Sequence, residues 1–260
     1  MRQRIITGVI AAAIFVPLVL VGGLPFTLLV YLLATVGVFE LLKMRKISLL
    51  SFPTFMSVLL IWTFLLSEAN GSLANTIFSH KVEVVLLAVL LLLTYTVLIK
   101  NRFTFDDAGF VLLATIYIGM GFYYFIAIRE EQLSYVFLAL FVTWASDSGA
   151  YFIGKSMGKR KLWPDISPNK TIEGSVGGIV CGVIVALLFA FLSPLTESPL
   201  HLMVIGLVLS IFGQVGDLVE SAFKRHYGVK DSGNILPGHG GVLDRTDSWL
   251  FVFPILYFLI

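Results

Sequence analysis

The sequence predicts an all-α protein, a polytopic integral membrane helical bundle of about nine transmembrane helices. Three observations predict it. Of 260 residues, 58% are hydrophobic and 13% charged, with a mean hydropathy of +0.94, whereas soluble domains run at roughly 45–50% and 25%. Nine apolar runs reach or approach the ~20 residues that cross a hydrocarbon core. Finally, Lys and Arg are distributed unevenly between alternate connecting loops.

The first run, residues 5–22, follows Arg2 and Arg4 as in a secretory leader. No convincing small-x-small cleavage site follows it, and a second apolar run begins at once, so it is read as a retained helix. The next runs are 25–42, 48–67, 82–98, 107–127 and 133–154. Residues 175–193, 201–223 and the short 246–260 complete the set. Pro17, Pro53, Gly119, Gly121 and Pro254 interrupt these runs, as membrane helices tolerate. Helices one to five form an N-terminal half, residues 1–130. Helices six to nine, residues 131–260, form a C-terminal half expected to carry a cytoplasm-facing active site.

Orientation follows from the short loops. With the N-terminus in the cytoplasm and nine crossings, every Lys and Arg except Lys81 and Arg129 falls on the cytoplasmic side, out of 18 in the chain. The acidic residues Glu68, Glu83, Glu130, Glu131 and Glu197 fall at or near the outer edge. The expected location is therefore a cytoplasmic membrane, multi-pass, with the N-terminus facing the cytoplasm. The single cysteine, Cys181, excludes disulfides within the chain and reads as a small apolar residue.

Charge at a bilayer is costly, about 2.5–3.5 kcal/mol per residue at a helix centre on insertion scales. The stretch from Ser221 to Asp247 nevertheless packs Lys224, Arg225, His226, Lys230, Asp231, His239, Asp244, Arg245 and Asp247 around two glycine pairs. In the eighth span Gly213, Gln214, Asp217, Glu220, Ser221 and Lys224 recur at three- and four-residue steps and share one face. Such a stripe points at a polar cavity or at an interhelical salt bridge of Asp217 with a Lys. Asp244 follows Pro237-Gly238-His239-Gly240-Gly241, a loop able to turn sharply and expose backbone N–H groups to an anion. Asp217 and Asp244 could share a divalent cation, and hard oxygen ligands suit Mg²⁺ with substrate phosphates completing its shell. Thr246 and Asp247 read equally well as helix caps.

In the sixth span Thr143, Asp147, Tyr151 and Gly154 share a face, with Asp147 well inside the apolar run. The following loop offers Lys170 among Pro168, Asn169 and Thr171 as a substrate contact. Lys159, Arg160 and Lys161 read as a topology anchor. Glu40 is expected to cap the second span or pair with Lys43. His80, His201 and His226 lack ligand spacing, while His239 between glycines suits phosphate contact or proton transfer.

The run Ser221-x-Phe223-Lys224-Arg225, four residues, Lys230-Asp231-x-Gly233, two residues, Leu236-Pro237-x-His239-Gly240-Gly241-Val242-x-Asp244-Arg245-Thr246-Asp247 resembles the signature of phosphatidate cytidylyltransferases, the CDP-diacylglycerol synthases. The segments around Asp147 and 167–175 are similar too, whereas spans one to five resemble the family only in general character. The resemblance implies a membrane enzyme in phospholipid biosynthesis that converts CTP and phosphatidic acid to CDP-diacylglycerol and diphosphate with Mg²⁺. It implies metal-binding roles for Asp217 and Asp244, and basic functional positions at Lys224, Arg225, Lys230 and Arg245. Together with the residue reading, the expected catalytic set is Asp217, Lys224, Arg225, Asp244 and Lys170. Ser221, Lys230, Asp231, His239, Gly240, Gly241, Arg245 and Asp147 are expected to bind substrate. The partners expected are CTP, phosphatidic acid and the bilayer, with no nucleic acid, and the resemblance is compatible with a homodimer. The rival readings are a CTP-dependent lipid or polyprenol kinase and an ion-coupled transporter, the latter weakened by charge gathered at one face.

Overall fold

A computed structural model of the chain describes residues 2–66 and 79–260, and of Arg2 the backbone only. Glu68 and the last residue of the third expected span lie outside the described residues. Each of the nine apolar runs forms a helix. These are α1 (Arg2–Val21), α2 (Gly23–Met44), α3 (Phe52–Leu65), α4 (Lys81–Leu98), α5 (Phe105–Glu131), α6 (Leu133–Met157), α7 (Ile172–Leu192), α8 (Pro199–His226) and, at the end, α10 (Trp249–Leu259). Seven of them are long and apolar enough to cross a membrane. The exceptions are α3, with 14 residues, and α10, with 11. The chain is a multi-pass, almost wholly helical membrane protein.

Local chemistry explains the boundaries. Helix α3 starts four residues later than its apolar run because Pro53 suits a first turn. The preceding residues turn back on themselves, with the Ser51 hydroxyl donating to Ser48 O at 2.6 Å. Helix α5 opens on a capping box: Thr104 Oγ1 accepts from Asp107 N, and Asp107 Oδ2 accepts from Thr104 N. Helix α8 opens on Ser198, whose hydroxyl accepts from His201 N, followed by Pro199.

Two elements were not expected. Residues read as a plain loop form a hairpin, β1 (Lys161–Trp163) against β2 (Ser167–Thr171), antiparallel with Lys161 opposite Thr171 and Trp163 opposite Ser167. Near the C-terminus Leu243–Thr246 forms a single turn, α9, set apart from α10.

Helices α6, α7 and α8 form the most closely packed group, and glycine permits it. A Cβ on Gly178 of α7 would stand 2.6 Å from Ser146 O of α6, and one on Gly206 of α8 would strike Ala186 of α7. Small residues let membrane helices approach closely, where dispersion replaces the hydrophobic drive available in water. Elsewhere aromatic rings fill the core: Phe125 of α5 stacks on Phe253 of α10 at 4.2 Å and meets Phe26 of α2 edge-on at 5.0 Å. The halves divided at residue 130 therefore share a core.

The two ends of the bundle differ. At one, Arg129 donates to Val19 O and Leu20 O at 2.7 and 2.9 Å, closing the α1–α2 turn, and Lys81 donates to Phe64 O. At the other gather Arg4, Glu40, the hairpin and the loop from Tyr227 to Val242. That segregation matches the uneven spread of Lys and Arg between alternate loops.

Candidate active site

The polar face of α8 organises the site. Gln214 Nε2 donates to Ser146 Oγ of α6 and to Ser175 O of α7, while Ser175 Oγ donates back to Gln214 Oε1 at 2.5 Å. One turn on, Asp217 Oδ2 pairs with Lys170 Nζ of β2 at 2.7 Å. Asp217 is thus salt-bridged, but to a lysine of the hairpin and not, as the interhelical alternative had it, to one of another span. Ser221 Oγ donates to Asp217 Oδ1 at 3.3 Å. Another turn on, buried Glu220 pairs with Lys224, which also reaches Asp244 Oδ1 at 2.8 Å. One face of one helix therefore holds the hairpin on one side and the C-terminal loop on the other.

Asp244 is the hub of that loop. Its Oδ2 accepts from Ser232 N, Ser232 Oγ and Gly241 N, each at 2.8 Å, and its Oδ1 from Lys224. Burial alone would raise its pKa; Lys224, the Gly241 amide and the Ser232 hydroxyl together hold it down to about 2. Gly240 has φ +86°, and a side chain there would strike the Asp244 carboxylate.

The sequence reading missed Glu40. It does not pair with Lys43. Only 4% exposed, its carboxylate accepts from Val242 N, Leu243 N and Ser232 Oγ, each at 2.9 Å. The Ser232 hydroxyl stands between Glu40 and Asp244, one proton facing two carboxylates. Gly233 and Gly241 lie so close to Glu40 that a Cβ on either would strike it. An intramembrane acid within reach of a cluster of Ser, Gly and backbone N–H was the only available signal, and sequence separation concealed it.

Two cavities adjoin. The larger, about 760 Å³, is lined by Asp147, Lys155, Lys161, Lys170, Asp217, Lys224, Asp231, Asp244, Arg245 and Asp247, among others. The smaller, about 480 Å³, is lined by Arg4, Lys230, Asp231, His239, Gly240 and Arg245, among others. Asp231 and Arg245 line both. Of the expected site residues, Arg225 stands apart: its Nε donates to Ile166 O at 3.2 Å and it lines neither cavity. Gly241 is buried against Glu40, and Ser221 touches Asp217, both behind the cavity wall.

The donor set bears on a cation. Among the described residues no three His, Cys, Asp or Glu side chains converge as a metal site, but Mg²⁺ usually takes only one or two carboxylates beside substrate phosphates. Asp217 has a side chain 33% exposed, whereas that of Asp244 is 5% exposed with both oxygens engaged by four donors. Asp147 and Asp247 share the larger cavity with Asp217, close enough for the charges to interact. In this arrangement Asp217 is the more open of the two carboxylates; a cation there requires Lys170 to give way, and sharing it with Asp244 requires Lys224 to move as well.

Comparison with known proteins agrees with this chemistry. A sequence model of the cytidylyltransferase family matches residues 2–260. The phosphatidate cytidylyltransferase of Bacillus subtilis (strain 168) is 59% identical over 264 residues, covering 100% of this chain and 97% of that protein. Those of Staphylococcus haemolyticus and Staphylococcus saprophyticus are each 48% identical over 260 residues, covering all of this chain and 99% of theirs. A paired acidic and basic cavity at one end of a membrane bundle, and relatives matched from end to end, lead to one conclusion: the chain belongs to the cytidylyltransferase family.

Proposed function

We propose that this protein is a phosphatidate cytidylyltransferase, transferring the cytidylyl group of CTP to phosphatidic acid and releasing diphosphate. The name borne by its full-length relatives supports this. The observation that carries it is the larger cavity, where Lys170 and Lys224 stand beside Asp217 and Asp244 at the end of the bundle rich in Lys and Arg. Its volume falls in the roughly 300–1,000 Å³ range of small-molecule sites.

The chemistry required is electrostatic. CTP and phosphatidate are both polyanions and repel each other. The phosphatidate oxygen is already largely ionised near neutral pH, so no protein base need remove a proton. It forms a bond to the α-phosphorus of CTP as the bond to the bridging oxygen breaks, and the electron pair leaves on diphosphate. Lys170 and Lys224 offset charge on the phosphates, and placement supplies most of the acceleration in such transfers. Mg²⁺, held by Asp217 with substrate oxygens, would neutralise the triphosphate when bound. Asp244 holds Lys224 and the glycine loop. The location we propose is the cytoplasmic membrane of a bacterium, with the N-terminus and cavity facing the cytoplasm where CTP is.

The test is incubation of purified protein with labelled CTP, phosphatidate and Mg²⁺, followed by lipid extraction. Label in a CDP-lipid with stoichiometric diphosphate is the expected result; CDP and a phosphorylated alcohol would make it a kinase. Asp217→Asn should lower turnover by at least about a hundredfold, the loss of a metal-ligand or phosphate-positioning charge, without altering membrane insertion. Near-normal turnover would remove its ligand role.

A further inference from the structure

The smaller cavity differs in character from the larger. Arg4, Lys230 and Arg245 supply three cations against one acid, Asp231, and it opens beside α1. Arg4 and Gly8 lie one turn apart on one face of α1, and both meet the glycine loop. The Arg4 stem lies against Gly238, where a Cβ would stand 2.8 Å from Cγ, and Gly8 backs onto the His239 ring. The flanking α1 residues Ile5, Ile6, Val9 and Ile10 are exposed, a surface that lipid chains cover in a membrane protein.

We propose that this second cavity seats the phosphomonoester of the lipid substrate, with Arg4 as its membrane-side clamp, leaving the larger cavity to the nucleotide. The inference rests on the cytidylyltransferase reading above and divides the two substrates between the cavities. A lipid arrives sideways along an apolar helix with its headgroup at the interface, and Arg4 stands one residue from that apolar surface. A guanidinium grips a phosphate with two parallel hydrogen bonds while its stem stays against apolar neighbours. Arg245 commits its Nε to His239 O at 3.0 Å, which fixes the plane of its guanidinium at the junction of the two cavities. Because Arg245 lines both cavities, its guanidinium is the group shared between a lipid phosphate in one and the α-phosphate in the other. Lys230 lines only the smaller cavity, which makes it a contact of the lipid phosphate.

The test uses the full chain in detergent, as wild type, Arg4→Gln, Arg4→Lys and Lys230→Gln. The probe is dioctanoyl phosphatidate without CTP or metal, read by the rise in unfolding temperature, with dioctanoyl phosphatidylcholine as control. The wild type should be stabilised by the phosphatidate alone. Arg4→Gln should weaken that binding about tenfold, as expected for one charge-assisted hydrogen-bonding group, with Arg4→Lys intermediate. In turnover its KM for phosphatidate should rise about as much while the KM for CTP changes less than about twofold. Unchanged phosphatidate binding in both Arg4→Gln and Lys230→Gln overturns the proposal, and so does a loss confined to inhibition by diphosphate, which would assign the cavity to the leaving group. If Arg4→Gln fails to fold, Lys230→Gln, at an exposed position, decides alone. Wild-type protein that binds phosphatidate at this site yet forms no CDP-lipid would uphold the site and remove the activity.

Discussion

Glu40 shows how much one side chain can organise. Three donors converge on it, two of them backbone amides that would otherwise be buried without acceptors. An orphaned buried donor costs about 1–3 kcal/mol, a large part of a stability of about 5–15 kcal/mol. Glu40→Gln keeps one acceptor oxygen and turns the other into a donor facing donors. It should lose about 1–3 kcal/mol of stability and lower kcat by at least about tenfold through displacement of Asp244 and Lys224. Unfolding in detergent and steady-state turnover measure the two effects; a variant with both unchanged would show that the loop holds itself. Because Glu40 touches neither cavity, it positions the loop and does not react. Its role was illegible because a sequence displays only near neighbours, such as Lys43, whereas Ser232 lies 192 positions away. Asp217, Lys170 and Lys224 were legible for the opposite reason. Charge in an apolar chain is conspicuous, and helical spacing alone put Asp217, Glu220 and Lys224 on one face.

At the scale of elements, the spans could be read and the small pieces between them could not. Twenty apolar residues announce a helix by length alone, so the runs and the helices coincide within a few residues. The hairpin has strands of three and five residues, too short for alternation to declare itself. It is held by contacts from elsewhere: Lys170 to Asp217, Arg160 to Glu173, and Arg225 to Ile166 O. These contacts give Arg225, expected in the catalytic set, a structural contact as well. It fastens the hairpin from outside the cavities. Arg225→Ala should speed hydrogen exchange across 161–171 and raise the KM for CTP about three- to tenfold, with kcat falling less. A fall in kcat of about a hundredfold or more with unchanged exchange would return Arg225 to direct phosphate contact.

For the molecule as a whole, the distribution of Lys and Arg implied that the basic loops would meet at one end, and the contacts of Arg4, Glu40, Lys170 and Lys224 gather at one end. The proposed reaction needs that end to face the nucleotide pool, with phosphatidate entering from the same leaflet. Ser232 and Ser248 are buried, so labels placed there would not report the side. Lys159 and Glu131 are exposed at opposite ends and suit the purpose in a Cys181→Ser background. Lys159→Cys should react with a membrane-impermeant maleimide only in inverted vesicles, and Glu131→Cys only in right-side-out cells. A reversed pattern would place the paired lysines and aspartates outside, away from CTP, and the proposed reaction could not proceed there whatever the geometry of the cavities. Reaction of both sites from one side would mean an even number of crossings between Glu131 and Lys159, which the single helix α6 does not allow.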